Sequence, residues 1–346
     1  MKHQTTRYGE IPFYKIGTFG NTADAFISKK LFLEYKTKYS FPKKGDILIS
    51  ASGTIGKAVI YDGKPAYFQD SNIVWIDNDE TLVKNDFLFY AYSNVKWNTE
   101  HTTILRLYND NFRNTLIPLP PLNKQSAIAN VLSGLDRYLC ALDALILKKE
   151  GVKKALSFEL LSQRKRLKGF NQAWQRVRLG DIANYLTSNL SVEQITQQGE
   201  IKVYDVNNFI GYTDTTFISD KPYISIVKDG SVGRVRILPP KTNILSTMGA
   251  LIANHRTTTE FLFYLLSNFD FKNFTSGSII PHIYFKDYKE KTIFLPPLNE
   301  QSAIANILSG LDNEITSLKN KKRQFENIKK ALNHDLMSAK IRVLEK

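Results

Sequence analysis

Hydrophobic residues recur every seven positions along two long stretches of the chain, and this spacing predicts two long helices. The stripe of the first stretch consists of Ile128, Leu135, Leu142 and Leu156, followed at four residues by Leu132, Leu139, Ile146 and Leu160. The stripe of the second consists of Ile304, Leu311, Leu318, Phe325 and Leu332, with Leu308, Ile315 and Leu336 on the same face. Heptad spacing sustained over about five heptads is typical of a coiled coil. Because neither stripe can be buried in a small domain, we expect the two helices to pack against each other.

The two helices begin with nearly the same sequence. Residues 117–136 read IPLPPLNKQSAIANVLSGLD, and residues 293–312, which lie 176 positions later, read IFLPPLNEQSAIANILSGLD. The twenty positions differ at three places, which are Pro118/Phe294, Lys124/Glu300 and Val131/Ile307. The chain therefore carries one structural unit twice, which predicts a pseudo-two-fold repeat with antiparallel helices. Asn123 and Asn299 are expected to cap these helices, with Gln125 and Gln301 supporting the first turn.

Shorter patterns before each helix predict strands, turns and one buried helix. Strands are predicted at residues 45–50, 58–61, 224–227 and 235–238, each pair being joined by a glycine-rich turn. Short buried helices are predicted at residues 87–94 and 261–268, which read FLFYAYSN and FLFYLLSN. We therefore predict an α+β fold with two mixed α/β domains and two long antiparallel coiled-coil helices. The predicted segments are 1–122, 123–172, 173–298 and 299–346.

Basic residues exceed acidic ones by 47 to 33, which gives a formal charge of +14. This excess suits a surface that binds nucleic acid, because each phosphate contact releases condensed counterions. A repeated surface is also suited to a target with two half-sites. The alternative is a chain that is simply basic, and the Lys- and Arg-rich faces of the helices are explained equally by solvation or by contact with DNA or a protein.

Composition argues against several other classes of protein. The single cysteine, Cys140, excludes an internal disulfide framework and is expected to fill the helix core. The N-terminal residues lack the apolar run of a signal peptide, and no run of about 18 uncharged apolar residues predicts a membrane span. We expect a cytoplasmic protein.

The sequence offers little that predicts catalysis. The five histidines are scattered without metal-ligand spacing, and no Gly-x-Ser-x-Gly nucleophile motif is present. Residues 52–57, SGTIGK, superficially resemble a phosphate loop. That interpretation fails because Ala51 replaces the first required glycine and Ala58 replaces the magnesium-binding Ser or Thr.

Residues 52–57 and 229–234 nevertheless share a pattern of glycines with a basic residue at the end. Glycine permits positive φ and close approach of a backbone to a ligand, and a terminal base can meet a phosphate. The candidate DNA-contacting residues in these loops are Ser52, Thr54, Lys57, Ser231 and Arg234. A tight hairpin with an incidental exposed base is the alternative.

A second pair of candidate segments precedes the long helices at residues 103–108 and 279–284. Their alternating apolar residues are expected to face inward, leaving Arg106 and His282 facing outward at equivalent positions. Further candidates of the types that contact base edges are His101, Thr103, Asn109, Asn111, Ser276, Ser278 and Lys286. The helices agree closely while these polar positions diverge, which suits a protein that reads two different half-sites.

Taken together, the sequence resembles the specificity subunits of type I restriction–modification systems over essentially its whole length. The run Leu-Pro-Pro-Leu-Asn-x-Gln-x-x-Ile-Ala at 119–129 and 295–305 is specific for that family, and Leu-Gly-Asp-Ile at 179–182 is typical of its second domain. The glycine-containing loops fall where the family has its recognition-domain loops. The resemblance implies that residues 1–122 and 173–298 are target-recognition domains, each of which reads one half of a split asymmetric DNA sequence. Helix length would set the gap between the halves.

The resemblance also implies the partners. Double-stranded DNA would be held together with two modification (methyltransferase) subunits, and restriction subunits would bind through them. The chain itself would be non-catalytic and carry no cofactor; S-adenosylmethionine would bind to the methyltransferase subunit, and ATP and Mg to the restriction subunit.

One departure concerns the first domain, which lacks the counterpart of residues 177–190, since residues 8–11 align with 198–201. A start upstream of Met1 and a truncated or recombined gene are both open explanations. Two alternative functions are accordingly retained: a remnant that assembles with partner subunits without full target recognition, and the recognition part of a single-chain restriction–modification enzyme.

Overall fold

The computed structural model describes residues 4–68, 72–97, 106–341 and 343. The chain forms two compact units. Unit 1 comprises residues 1–143 and 320–346, and unit 2 comprises residues 144–319. Each unit contains one mixed α/β domain and a part of each long helix, so the predicted α+β architecture is confirmed.

The elements of unit 1 are short except for the long helix that begins in it. In chain order they are β1 (Ile11–Tyr14), β2 (Ala25–Ile27), α1 (Lys29–Lys38), β3 (Ile47–Ser50), β4 (Ala58–Ile60), β5 (Tyr67–Phe68), β6 (Ile73–Trp75), α2 (Asn85–Tyr92), α3 (Asn109–Arg113) and α4 (Leu122–Leu161). The strands form two three-stranded sheets, ordered β2-β1-β5 and β4-β3-β6. The central strand β3 is buried along its whole length.

Unit 2 repeats this plan with additional strands. Its elements are β7 (Gln175–Arg178), β8 (Ala183–Thr187), β9 (Ile201–Tyr204), β10 (Phe209–Thr213), β11 (Tyr223–Val227), β12 (Val235–Leu238), β13 (Thr242–Ile244), β14 (Met248–Ala253), α5 (Thr259–Ser267), β15 (Thr275–Ser276), β16 (His282–Ile283), α6 (Phe285–Tyr288), β17 (Thr292–Leu295) and α7 (Leu298–Met337). The sheets are ordered β10-β9-β13 and β12-β11-β14-β8, with the two-stranded pairs β15-β16 and β17-β7. The predicted strands around each glycine turn and the buried helices α2 and α5 are confirmed.

The long helices α4 and α7 pack antiparallel within each unit, as predicted. In unit 1, Tyr138 of α4 contacts Phe325 of α7, with ring centroids 4.7 Å apart. In unit 2, Lys149 of α4 pairs with Glu314 of α7 at 2.7 Å. Every residue of the two predicted hydrophobic stripes is buried or half-buried, because the stripes face each other or the adjoining domain. Cys140 was expected in the core but is exposed, since it lies off the stripe.

The helix starts differ from the predicted caps. Both helices begin one residue before the asparagine, at Leu122 and Leu298. The first backbone bonds run from Gln125 N to Pro121 O at 3.0 Å and from Gln301 N to Pro297 O at 2.9 Å. The proline carbonyl therefore occupies the capping position, and the asparagine side chain accepts from the next backbone amide instead.

The glutamine in the first turn joins each long helix to its domain. Gln301 is fully buried; its Nε2 donates to the carbonyl oxygens of Arg256 and Pro296, and its Oε1 accepts from Thr257 and Thr258. In unit 1, the buried Gln125 donates to the carbonyl oxygens of Leu82 and Pro120, and accepts from Lys84 N at 2.8 Å. Burial of a primary amide is tolerated because its donors and its acceptor are bonded.

An aspartate near the end of each repeated segment makes a second connection. Asp136 accepts from the Tyr90 hydroxyl at 2.7 Å and pairs with Lys329. Asp312 accepts from the Tyr264 hydroxyl at 2.8 Å and pairs with Lys153. Burial first, and then the hydrogen bond to the aspartate, raise the pKa of Tyr90 and the pKa of Tyr264. Both hydroxyls are therefore protonated donors at neutral pH and fix the short helices α2 and α5 against the long ones.

Unit 2 contains one further buried charge, at a position where the repeats differ. Glu300 is fully buried and accepts from Arg166 Nη2 at 2.6 Å and from the Trp174 indole N–H at 3.0 Å. Lys124 occupies the equivalent position of unit 1. The other two differences in the repeated segment lie at exposed positions, whereas this one replaces a buried acid by a half-buried base.

Candidate nucleic-acid interface

The two glycine loops, defined as residues 52–57 and 229–234, have the same backbone conformation. Gly53 and Gly56 have φ of 67° and 78°, and Gly230 and Gly233 have φ of 82° and 79°. In unit 1 the Gly56 amide donates to Ser50 O, and in unit 2 the Gly233 amide donates to Val227 O, both at 2.9 Å. These dihedral angles lie in the left-handed region that favours glycine.

The second glycine of each loop also packs against an aromatic ring. A Cβ at Gly56 would lie 2.2 Å from Trp97 Nε1, and one at Gly233 would lie 2.6 Å from Phe271 Cδ2. No side chain fits in that space, so both backbone dihedrals and packing require glycine. The aromatic ring packed against each loop consequently holds that loop in one conformation.

The segment before each long helix is bridged to its glycine loop. The Leu107 amide donates to Ala51 O at 2.8 Å, and the Ile283 amide donates to Lys228 O at 2.9 Å. These bonds form isolated β-bridges between Ser52 and Arg106 and between Asp229 and His282. The structure thus brings together the two segments that were predicted separately, and it does so in the same way in both units.

In unit 1, the predicted residues divide into exposed and internally bonded ones. Thr54 and Asn109 are exposed. Ser52 donates from Oγ to Asn72 Oδ1 at 2.9 Å, and Asn111 Oδ1 accepts from Tyr108 N at 2.6 Å to cap the start of α3. The Arg106 guanidinium lies 5.9 Å from the centre of the exposed Tyr108 ring. His101 and Thr103 lie outside the described residues.

Lys57 is placed differently from Arg234, its counterpart in unit 2. Lys57 is half-buried and its Nζ donates to the carbonyl oxygen of Phe19 at 2.5 Å. Arg234 is exposed at the end of its loop. The sequence predicted a phosphate contact for both residues, and the geometry favours it at Arg234 alone.

In unit 2, His282 is part of a side-chain pair that the sequence did not predict. Its Nδ1 lies 2.6 Å from Asp229 Oδ1, and each side chain is about a third exposed. His282 was expected to face outward; its ring is only partly exposed, because Asp229 holds it beside the loop. The ring of Tyr284 is stacked on the imidazole at a centroid distance of 6.5 Å. The Lys286 ammonium lies 5.4 Å from the centre of the Tyr284 ring.

The apolar residues of the second pre-helix segment also depart from expectation. Ile279, which alternates with His282 and was expected to face inward, is 92% exposed, and Ile280 beside it is 54% exposed. They lie between β15 and β16, where Gly277 adopts a φ of 91°. Only Ile283 is buried, because the segment becomes a strand of the domain there. Ser276 and Ser278 are exposed beside these isoleucines, and Ser231 is exposed on the glycine loop.

Three candidate functional residues were not singled out from the sequence. Asp229 was recognised as part of a loop, but its alignment with Ser52 gave no reason to expect a carboxylate–imidazole pair. Tyr108 and Tyr284, at equivalent exposed positions, accompany Arg106 and His282. Their common offset of 176 residues was the signal that identifies them. Burial, followed by the nearby charge of Asp229, raises the pKa of Tyr185, so a neutral hydroxyl lies near this loop.

No group of three or more His, Cys, Asp or Glu side chains in the described ranges is arranged to hold a metal ion. Within the same residues, no helix combines the length and the apolar character that crossing a bilayer requires.

Comparisons with known proteins agree on one family. The model of the type I restriction–modification DNA specificity domain matches residues 1–149 and 171–327. A Haemophilus influenzae protein named for a type I restriction enzyme specificity subunit is 62% identical over 137 residues, which are 39% of this chain and 36% of that protein. The chain thus spans about a third of that relative's length in this match. The MjaVIII specificity subunit of Methanocaldococcus jannaschii is 25% identical over 362 residues, covering 92% of this chain and 84% of that protein.

Solved structures show the same fold. The crystal structure of a type I restriction–modification S subunit from M. genitalium has a TM-score of 0.63 at 20% identity, covering 97% of this chain and 91% of that one. A chain from a structural study of complex assembly and conformational transition of a type I system has a TM-score of 0.53 at 15% identity, covering 85% of this chain and 82% of that one.

Proposed function

The chain belongs to the family of type I restriction–modification DNA specificity proteins, and we propose that it is the subunit that reads a bipartite, asymmetric sequence in double-stranded DNA. Each unit would read one half of the target. The modification and restriction subunits would supply the chemistry.

The observation that carries this proposal is a repeated backbone arrangement with different side chains. Both units have a glycine loop bridged to the pre-helix segment at equivalent positions. The bridged residues are Ser52 and Arg106 in unit 1, but Asp229 and His282 in unit 2. A conserved support with divergent polar groups is what two different half-sites require, since base identity is read from hydrogen-bond patterns in the major groove.

The chemistry of these groups supports base reading. An arginine donates two hydrogen bonds to O6 and N7 of guanine, and a tyrosine face next to the guanidinium restricts its orientation. A histidine whose Nδ1 is bonded to a carboxylate presents Nε2 to a ligand. Arg234 and Lys286 are exposed beside the unit 2 loop and offer charges for phosphate oxygens. The formal charge of +14 provides the sequence-independent part of the affinity.

The near-identity of the two repeated segments supports the proposal that the chain binds two copies of one protein partner. Their near-identity includes exposed positions that internal packing does not require, among them Ser126 and Ser302 and Asn130 and Asn306. Two equal surfaces suit two modification subunits, with restriction subunits attached through them. S-adenosylmethionine would be bound by the modification subunit, and ATP and Mg by the restriction subunit. The chain would carry neither catalytic residues nor a cofactor and would act in the cytoplasm.

The test is selection of duplexes from a randomised DNA pool, followed by fluorescence anisotropy of the selected duplex at several salt concentrations. We expect two short conserved blocks separated by a fixed gap, and an affinity whose logarithm falls linearly with the logarithm of the salt concentration. A pool that yields no conserved sequence, with binding equal to that of random DNA, contradicts target recognition.

A second experiment tests the role in the complex. The chain alone should methylate nothing, and adding the modification subunit and S-adenosylmethionine should methylate the selected target. If the modification subunit methylates the same target without this chain, the proposed role is wrong. Methylation that needs the chain but ignores the target would instead identify an assembly factor.

A further inference from the structure

The hydrogen bond between His282 and Asp229 fixes the proton on one nitrogen of the imidazole. Nδ1 of His282 lies 2.6 Å from Oδ1 of Asp229, which is the short distance of a bond with a charged acceptor. An ionised carboxylate accepts hydrogen bonds and donates none, so the proton of this bond belongs to Nδ1. A neutral imidazole that carries its proton on Nδ1 has a lone pair on Nε2, and this second nitrogen is therefore an acceptor.

Two acceptor atoms of this pair are open to a ligand. Within the described part of the chain, no group bonds to Nε2 of His282 or to Oδ2 of Asp229. Neither atom is buried without a partner, since that state is found only for Asn333 Oδ1 among the described residues. Both atoms are consequently accessible, in side chains that are each about a third exposed. The pair presents acceptors and no side-chain donor at this surface.

Neighbouring groups hold the pair in place without competing for its lone pairs. The β-bridge between Asp229 and His282 fixes both backbones, and the Tyr284 ring stacks on the imidazole at an interplanar angle of 22°. No lysine or arginine among the described residues lies within ion-pairing distance of Asp229. The Lys286 ammonium lies over the Tyr284 ring instead, 5.4 Å from its centre. Nε2 of His282 is therefore an acceptor with a fixed orientation.

The equivalent position of unit 1 has the opposite hydrogen-bonding character. Arg106 stands there, and a guanidinium carries five N–H donors and no acceptor. In the major groove, guanine offers the acceptors O6 and N7, which match an arginine. Donors are offered there only by N6 of adenine and N4 of cytosine, which match an acceptor such as Nε2 of His282. The same backbone arrangement therefore holds a donor group in one unit and an acceptor group in the other.

We propose that unit 2 recognises adenine or cytosine at one position of its half-site, through donation from the exocyclic amino group to Nε2 of His282. Asp229 is the positioning residue that keeps this nitrogen an acceptor. Guanine and thymine are rejected at that position because they place O6 or O4 against Nε2, which leaves two acceptors desolvated without a donor. The inference rests on the proposed function and adds to it the class of base that unit 2 reads.

The first experiment tests whether the amino group itself is read. Duplexes are selected by the full chain from a randomised pool at about pH 8, where a histidine is ordinarily neutral. The position that loses its base preference in His282→Ala is then identified. We expect adenine or cytosine there, preferred over guanine and thymine by about tenfold or more.

Base analogues then remove the amino group from the selected duplex. Adenine is replaced by 2-aminopurine, or cytosine by pyrimidin-2-one; both analogues still pair with the opposite base but lack the amino group in the major groove. Fluorescence anisotropy measures the affinity. The replacement should weaken binding to the natural chain about tenfold and leave the affinity of His282→Ala unchanged, because the variant has already lost the contact.

The second experiment tests the role of Asp229. Asp229→Asn keeps the shape of the side chain, but its amide N–H donates to Nδ1 and so moves the ring proton to Nε2. We expect the preference for an amino base to fall about tenfold or more, and guanine to become the preferred base. Asp220→Asn changes an exposed aspartate of the same unit and should keep the natural preference. Circular dichroism establishes that both variants are folded.

Nitrogen-15 NMR of the histidine-labelled chain gives a readout that a purely structural role of Asp229 would not change. The nitrogen chemical shifts show which ring nitrogen carries the proton, and His282→Ala assigns the signals of His282. We expect the proton on Nδ1 in the natural chain and in Asp220→Asn, and on Nε2 in Asp229→Asn.

Three results overturn the inference while target recognition stands. The first is a selected half-site with guanine or thymine at the position that depends on His282. The second is an amino-group replacement that weakens binding to the natural chain and to His282→Ala equally. The third is a ring proton on Nε2 in the natural chain, or a preference for amino bases that Asp229→Asn leaves unchanged. A selection that yields no conserved sequence contradicts the proposed function instead, and the inference is then wrong with it.

Discussion

The Tyr264 hydroxyl donates to Oδ2 of Asp312 at 2.8 Å, and this bond holds α5 against α7 within unit 2. Tyr90 and Asp136 make the equivalent bond in unit 1. Hydrogen bonds to charged acceptors contribute about 1.5–3 kcal/mol, reduced here because both aspartates keep their lysine partners. Tyr264→Phe and Tyr90→Phe should each lower the free energy of unfolding by about 1–2 kcal/mol, measured by urea denaturation. Tyr284→Phe, an exposed tyrosine, is the control, and an equal loss there would remove the assigned role.

Alkaline pH should weaken unit 1 through Tyr92. Burial raises the pKa of Tyr92 to about 12 from its ordinary value of 10.0. Since the folded-state pKa is the higher one, this contribution is complete below pH 10 and is lost as the pH rises toward 12. Tyr92→Phe should therefore retain about 2 kcal/mol more stability than the natural chain at pH 12 relative to pH 9. Denaturant titrations at both pH values measure it, and identical pH profiles would contradict the prediction.

The buried glutamines should be among the most sensitive positions of the repeated segment. Gln301→Ala leaves the carbonyl of Arg256, the hydroxyl of Thr257 and the amide of Thr258 without their partner. Each unsatisfied buried group costs about 1–3 kcal/mol, so we expect a loss of about 2–4 kcal/mol, and a similar loss for Gln125→Ala. Thermal and urea unfolding measure it. Gln324→Ala, on the exposed face of α7, should be neutral; a loss there equal to that of Gln301→Ala would assign the effect to the helix in general.

Alanine at the second glycine of either loop should distort the loop. Gly56→Ala and Gly233→Ala combine a positive φ with overlap on Trp97 or Phe271, and we expect destabilisation of about 2–3 kcal/mol. Gly134→Ala and Gly310→Ala provide matched controls in the long helices, where a Cβ meets open space or one distant atom. These should be stabilised by about 0.5–1 kcal/mol. Loop variants as stable as the natural chain would show that the loop conformation is not required.

Substitutions at the two candidate recognition positions, Arg106 and His282, should have different effects on DNA binding. Arg106→Ala and His282→Ala are each expected to relax base preference by about 1–3 kcal/mol at opposite halves of the target. Selection from randomised DNA measures the preference. Arg137→Ala and His255→Ala, exposed residues of the same types elsewhere, are the controls. If either test variant retains the natural preference, the shared position supports the fold and does not read bases.

Arg234→Ala should reduce the salt dependence of DNA affinity by about one counterion without changing base preference. Lys57→Ala should leave the salt dependence unchanged and lower stability instead, because its ammonium is bonded to Phe19 O. Anisotropy over a salt series, paired with urea unfolding, distinguishes the two residues. If Lys57→Ala reduces the salt dependence of affinity as much as Arg234→Ala does, the Lys57 ammonium contributes to DNA binding despite its bond to Phe19 O.

The elements that could be predicted from sequence are those with local signals. The heptad stripes of α4 and α7, the glycine turns and the apolar helices α2 and α5 each rest on spacing within one segment. The sequence showed the glycine loops and the pre-helix segments as two separate sets of matching residues, and it did not show that the loops pair with the segments. It depends on bonds such as Leu107 N to Ala51 O, between residues that are far apart in the chain.

What could not be predicted depends on partners distant in sequence. Nothing near Gln301 indicates that its side chain bonds to residues 256–258, and nothing near Lys57 indicates a bond to Phe19. Ile279 was assigned to the interior because alternation with His282 was taken to hold along the segment, but Gly277 at a positive φ ends the regular strand pattern before it. The Asp229–His282 pair joins residues 53 positions apart, and the residues at the same places in unit 1 are Ser52 and Arg106.

The lysine–aspartate pairs of the long helices are reciprocal. Lys153 of α4 pairs with Asp312 of α7, while Lys329 of α7, which lies 176 residues after Lys153, pairs with Asp136 of α4. Each repeat therefore contributes one acid and one base to matching places. Two identical copies of a single repeat would satisfy each other's charges in an isologous contact without any change of sequence. The single chain thus retains the bonding rules of a homodimer, and covalent linkage leaves its two mixed α/β domains free to diverge independently.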